Sequence, residues 1–127
     1  MALLEIRDVT RRFGGVTVVE KFSFDLERVD ALGIVGPNGA GKTTLLNLIA
    51  GDLPVDSGTI TFEGNDVTRL SAHRRCRMGI GRTSQVPRPF EQLTVFENVL
   101  VGATYGGADG GAPDEIAVES LRRAGML

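Results

Sequence analysis

A single cysteine, Cys76, one histidine, His73, and no excess of positive charge set the first limits on this 127-residue chain. One thiol excludes an intrachain disulfide and cannot make a cysteine zinc site; it is consistent with a reducing compartment. A net charge of −2 gives nucleic acid no basic face to select, so no nucleic-acid partner is expected. No run approaches the ~18 apolar residues needed to cross a bilayer. The longest candidate, Leu45 to Ala50, is interrupted by Asn47 and closed by Gly51. Glu5 and Asp8 stand where a signal peptide would carry its apolar region. The expectation is a chain that is neither exported nor membrane-spanning by itself.

What the chain does have is an ordinary globular balance, 42% hydrophobic and 24% charged, enough for one domain or part of one. Glycine is in excess, 17 of 127 residues against an average of about 7%. Much of that excess lies in "GPNGAG" and between Gly102 and Gly111.

Along the chain, Leu4, Ile6 and Val9 alternate with Glu5, Arg7 and Asp8, which predicts a half-buried strand over Leu3–Val9. A turn at Phe13–Gly15 follows, then strand-like Val16–Val19 and Phe22–Leu26, together an antiparallel β unit. "ALGIV" (Ala31–Val35) reads as a buried strand directly before a glycine loop. Lys42–Ala50 has a broad apolar face and predicts a helix stopped by Gly51. Asp52–Gly58 is a turn and Thr59–Gly64 a strand ending in a turn. Ser71 precedes a short basic helix reaching Met78, and Ile80–Ser84 is a further strand candidate. Thr94 and Glu97 have capping-box spacing for a helix to about Ala103. "GATYGGADGGAP" reads as a linker, and Asp114–Ala124 as a last helix with Ile116, Val118, Leu121 and Ala124 apolar.

The spacing Gly36-x-x-x-x-Gly41-Lys42-Thr43 satisfies the P-loop pattern between a strand-like and a helix-like run. Glycines let the backbone curl so that the N–H groups of Asn38, Gly39, Ala40 and Gly41 face phosphate oxygens. The following helix adds the positive end of its dipole at the same point. Lys42 is placed to reach the β and γ phosphates, Thr43 to ligate Mg²⁺, and Thr44 to contact the α-phosphate. A dinucleotide fingerprint fails, since "GIGRTS" lacks its third glycine. ATP with Mg²⁺ is the expected ligand.

The stretches "GPNGAGKTTLLNLIAG" and "PVDSGTITFEGNDVT" resemble the nucleotide-binding subunit of ABC transporters. Within that superfamily "RRCRMGIGRTSQVPRPFEQLTVFENVLVGATYG" is similar to branched-chain amino acid importer ATPases, with urea-importer and lipopolysaccharide-exporter ATPases as close relatives. The resemblance runs over essentially the whole chain. It implies an α/β P-loop NTPase fold: residues 1–127 as the N-terminal portion of a single ABC-type nucleotide-binding domain, with an N-terminal antiparallel β subdomain. It implies an ATPase that energises an importer, peripheral on the cytoplasmic face of the membrane through a transmembrane permease subunit and paired with a second nucleotide-binding subunit. By position, Phe13 would stack on adenine with Val18 packing against the base. Gln85 would join Lys42 as a catalytic residue and Thr43 as a contact to Mg²⁺, its carboxamide both donating and accepting without charge. Phe13 as a core residue is the competing reading of that position.

"VPRPFEQLTVFENV" would face the permease, with Phe90 and Leu93 as anchors. Arg74, Arg75 and Arg77 read as a solvated helix face, His73 as a surface residue and Cys76 as packing. The family pattern continues into an "LSGGQ"-type signature, an apolar strand ending in Asp, a catalytic Glu and a switch His, none of which occurs in these residues. Asp114-Glu115 follows "GGAP" rather than an apolar strand and does not replace them. "ERVDALGIVG" lacks the Pro-Gly-Glu usual before the P-loop strand, and Ser84 replaces an aromatic frequent in the subgroup.

The sequence thus reads as the N-terminal part of a nucleotide-binding domain, expected alone to bind nucleotide weakly and to lack turnover. A non-catalytic nucleotide-binding module is the alternative, while a P-loop kinase or GTPase lacks support. Leu45, Leu48 and Ile49 are expected to be partly uncovered where parallel strands are missing, with marginal stability or self-association as the consequence.

Overall fold

Two residues, Gly14 and Gly15, are all that separates the first two strands. Gly14 adopts φ 61°, a left-handed conformation that glycine enters without Cβ strain. The computed structural model describes residues 2–34, 41–83, 89–106 and 112–126, in two compact units, Met1–Ala72 and His73–Leu127.

In the first unit β1 (Leu4–Phe13) and β2 (Val16–Leu26) form the hairpin, followed by α1 (Lys42–Ala50), β3 (Ser57–Phe62) and β4 (Asn65–Asp66). The sheet order is β2-β1-β3-β4, and every pair is antiparallel. The expected antiparallel unit is therefore present, with β2 continuous through Glu20 and Lys21, which separate its two apolar halves.

Bulges shape the hairpin. Leu4 and Ile6 are buried by strict alternation, yet Val9 is buried too, because the register slips at Asp8, whose φ is 50°. A second slip falls at Lys21, φ 43°, and a third passes over Val18 between the pairs Arg11↔Val19 and Arg12↔Thr17. Buried threonines tie the sheet: Thr10 Oγ1 accepts the Lys21 N–H at 3.0 Å across a bulge, and Thr68 Oγ1 accepts the Ile60 N–H at 2.8 Å.

Leu4, Ile6, Val9, Val19, Ile60, Phe62 and Val67 form the sheet's buried apolar set, and α1 adds Leu45 and Leu48. Each such side chain contributes roughly 1.5–3 kcal/mol by leaving water. Leu45 and Leu48 are 3% and 0% exposed, so the expected uncovering of those two does not occur. The antiparallel unit itself takes up the helix, which touches β2. The apolar residue of α1 left in solvent is Leu46, at 45%.

The two strands expected around the glycine loop are corrected. Ala31–Ile34 are exposed and form no strand, and Ile80–Thr83 form none either. A buried parallel strand needs hydrogen-bonding neighbours, and the one sheet among the described residues is antiparallel throughout.

The second unit is helical: α2 (Ala72–Met78) at its boundary, α3 (Val95–Tyr105) and α4 (Pro113–Arg123). The capping box forms as expected, Thr94 Oγ1 accepting the Glu97 N–H at 3.1 Å and Glu97 Oε1 accepting the Thr94 N–H at 2.8 Å. α4 begins on Pro113, its first turn carries Asp114 and Glu115, and its last carries Arg122 and Arg123, an order that suits the helix dipole. Ala117 and Leu121 are its buried pair. Arg75 corrects the reading of α2 as a solvated basic face: at 2% exposure it is buried, while His73, Arg74 and Arg77 remain exposed. Among the described residues no helix is long and apolar enough to cross a membrane.

Candidate nucleotide site

α1 starts where the phosphate reading requires a helix to start. Gly41 occupies its N-cap at φ 92°, in the left-handed region, and the Leu45 N–H donates to its carbonyl at 2.8 Å. As a glycine, the N-cap has no side chain to cap this end, and the helix's first turn holds no acid. The positive end of the helix dipole therefore meets no carboxylate from the helix's own first turn, a setting that suits an anion.

Gly41 also fixes where that end lies. A Cβ built on it would stand 2.9 Å from the Val18 carbonyl oxygen and 3.4 Å from Val18 Cγ1. Glycine is required twice here, by the dihedral and by the close approach to β2. Beside it opens a cleft of about 250 Å³ lined by Val18, Val19, Glu20, Phe22, Ile34, Gly41, Lys42 and Leu45. Val18 and Lys42 therefore share one cavity. Thr43 is exposed and Thr44 half-buried on the same first turn.

Phe13 ends β1 at the tip of the hairpin, opposite Val16 and 42% exposed, so a core role for it is excluded. Val18 lies two residues beyond Val16, about 7 Å along the strand. The Arg11 guanidinium carbon stands 4.8 Å from the Phe13 ring centroid. Sequence reasoning passed over Arg11; its one signal was the i, i+2 spacing to Phe13, which puts both side chains on one face of a strand. Asn38, Gly39, Ala40 and Gln85 lie outside the described residues.

The far end of α1 returns to β1. Gly51 closes the helix at φ 90°, its N–H donating to the Asn47 carbonyl. The loop then meets Arg11 and Arg12: the Pro54 carbonyl accepts from Arg11 Nη1 at 3.1 Å, and Asp56 Oδ2 accepts the Arg12 N–H at 2.6 Å.

In the second unit, Phe90 and Leu93 are 58% and 37% exposed. Asn98 holds the turn that presents them. Its Oδ1 accepts the Phe90 N–H at 2.7 Å, and its Nδ2 lies 3.1, 3.3 and 2.9 Å from the carbonyls of Phe90, Leu93 and Thr94. Asp114 and Glu115 occupy the exposed first turn of α4, and no cluster of His, Cys, Asp or Glu able to hold a metal occurs among the described residues.

The family described as ABC transporter matches residues 19–126. A probable branched-chain amino acid transport ATP-binding protein, LivG, of Archaeoglobus fulgidus is 36% identical over 101 residues, 80% of this chain and 39% of that one. The spermidine/putrescine import ATP-binding protein PotA of Nitrosospira multiformis is 44% identical over 117 residues, 91% of this chain and 30% of its own. A solved ATP-binding cassette of an ABC transporter in its ADP conformation superposes with a TM-score of 0.73 at 33% identity, covering 97% of this chain and 46% of that chain. The chain thus spans about two fifths or less of the curated relatives it matches here.

Proposed function

This chain belongs to the ABC transporter family, and from that premise we propose that it carries the phosphate-gripping part of an ATP-binding subunit that energises import of branched-chain amino acids through a transmembrane permease. One observation carries the reading: an acid-free helix N-terminus at Lys42–Thr43 whose left-handed N-cap, Gly41, is pressed against β2 beside a cleft.

The residues present fit Mg²⁺–ATP. Bound there, it supplies a transferable γ-phosphoryl group. The Lys42 ammonium would balance charge on the β and γ oxygens, Thr43 with Gln85 would ligate Mg²⁺, and Thr44 would contact the α-phosphate. The N–H groups of Asn38, Gly39, Ala40 and Gly41 would complete the cradle, and Phe13 with Val18 would hold the base. As the N-terminal portion of one nucleotide-binding domain, residues 1–127 would work beside a second nucleotide-binding subunit, held on the cytoplasmic face of the membrane by the permease. Alone it would bind nucleotide without turnover, because no Asp-Glu pair follows an apolar strand in its sequence.

The cargo assignment draws on the names of the curated branched-chain relatives. The polyamine importer's higher identity, 44%, favours a second reading in which the cargo is a polyamine. Titration of the chain with a fluorescent ATP analogue and Mg²⁺ tests the site. Saturable binding that Lys42→Ala removes supports it, and unchanged affinity in that variant takes the P-loop out of the account. Uptake of labelled leucine against labelled spermidine, by cells lacking the gene and complemented with it, decides between the cargoes.

A further inference from the structure

We propose that Arg11 is a positioning residue for the nucleotide base: a cation that backs one face of the Phe13 ring and prepares the opposite face for a purine. The inference rests on the reading of Phe13 as the stacking aromatic.

Arg11 and Phe13 are i, i+2 on β1 and therefore share a face. The guanidinium carbon lies 4.8 Å from the ring centroid. The arginine is not a loose surface side chain, being 19% exposed and held from the loop that follows α1. Its Nη1 donates to the Pro54 carbonyl at 3.1 Å and lies 3.7 Å from Asp56 Oδ1. Asp56 is itself fixed, its Oδ2 accepting the Arg12 N–H at 2.6 Å and its own N–H donating to the Thr10 carbonyl at 2.9 Å. Nε is buried and has no hydrogen-bond partner among the described residues. The guanidinium thus keeps its place against the ring with its own hydrogen bonding incomplete.

Two consequences reach the ligand. A cation on one face draws π density from the ring, so an electron-rich purine stacks better on the other. The contact also restricts the ring's rotation before any base arrives, which lowers the ordering cost of binding. A lysine would supply the charge without the planar fork that Pro54 and Asp56 hold.

The test compares affinities for Mg²⁺–ATP and for Mg²⁺–tripolyphosphate, which has no base, so their ratio isolates base recognition. Arg11→Gln is expected to weaken ATP binding about two- to fivefold, the scale of an exposed cation–π contact, and to leave tripolyphosphate binding unchanged. Arg11→Lys should recover part of the loss. In a Phe13→Ala background Arg11→Gln should have no further effect. Asp56→Asn keeps Arg11 but loosens it, and should shift the ratio the same way by less, which covers an Arg11 variant that fails to fold. If Phe13→Ala lowers the ratio and Arg11→Gln does not, the inference falls and the stacking role of Phe13 stands. An unchanged ratio in Phe13→Ala removes both. Equal losses for ATP and tripolyphosphate in Arg11→Gln make the residue structural and overturn the proposal, and absence of any nucleotide binding by the parent chain overturns it with the site.

Discussion

Gly58 faces the bulge of β1 at Asp8: a Cβ on Gly58 would come within 2.4 Å of the Asp8 carbonyl oxygen and 2.6 Å of the Arg7 carbonyl oxygen. The slip that buries Val9 pushes this backbone toward β3, and only a residue without a side chain tolerates the approach at φ 95°.

Gly58→Ala should therefore destabilise the first unit by at least about 2 kcal/mol, combining left-handed strain with a backbone clash that cannot relax by rotamer change. Gly64, at φ 81° with nothing near its hypothetical Cβ, is the control and should lose only about 1 kcal/mol. Urea midpoints followed by circular dichroism measure both. Equal midpoints for the two variants would remove the clash from the explanation.

Gly41→Ala acts on the site more than on the fold. The added methyl must leave the Val18 carbonyl by moving the start of α1, and it carries left-handed strain of about 1–2 kcal/mol. Nucleotide affinity should fall roughly five- to thirtyfold. Fluorescent-nucleotide titration checks this, and retention of full affinity with an intact fold would show that the helix start tolerates displacement.

Asn98→Ala should release the turn carrying Phe90 and Leu93. The Phe90 amide, bonded to Asn98 Oδ1, should lose about fivefold in hydrogen-exchange protection, the equivalent of one hydrogen bond near 1 kcal/mol. Asn98→Asp should keep that amide protected, since its carboxylate still accepts. Unaltered exchange at Phe90 in the alanine variant would mean that other contacts hold the turn.

Glu97 sets a pH dependence. Hydrogen bonds from the backbone and then the side chain of Thr94 hold its carboxyl below the ordinary value of 4.5. A depressed folded-state pKa stabilises the folded form above the unfolded value, and that contribution is lost as pH falls through the folded one. Carbon-detected NMR of the Glu97 carboxyl should give a midpoint below 4.5, and Thr94→Ala should raise it. A midpoint at or above 4.5 in the parent chain contradicts the capping geometry.

The elements legible in the sequence were those whose ends are written in local chemistry. Lys42–Ala50 carries its own stop in Gly51, and Thr94–Glu97 its own start. Ala31–Ile34 and Ile80–Thr83 misled because an apolar run states a need for burial and says nothing of a neighbouring strand. The break expected between Val19 and Phe22 is a bulge, since Lys21 at φ 43° lets polar residues pass without ending the strand. Arg75 was hidden by its charge and Ala117 by its size. For the candidate site, Lys42, Thr43 and Val18 could be proposed from motif and resemblance. Arg11 could not, because what holds it arrives from Pro54 and Asp56, far along the chain.

The order of the sheet has a kinetic consequence. β1 finds β2 across a two-residue turn, whereas its pairing with β3, as in Leu4 with Phe62, must close a loop that contains α1 and the whole P-loop. Loop-closure entropy places that pairing after the hairpin, so β3 joins the sheet late in folding and leaves it early in unfolding. A nucleotide gripped at Lys42, as proposed, would stabilise contacts that the transition state has yet to make. It should slow unfolding and leave the folding rate almost untouched.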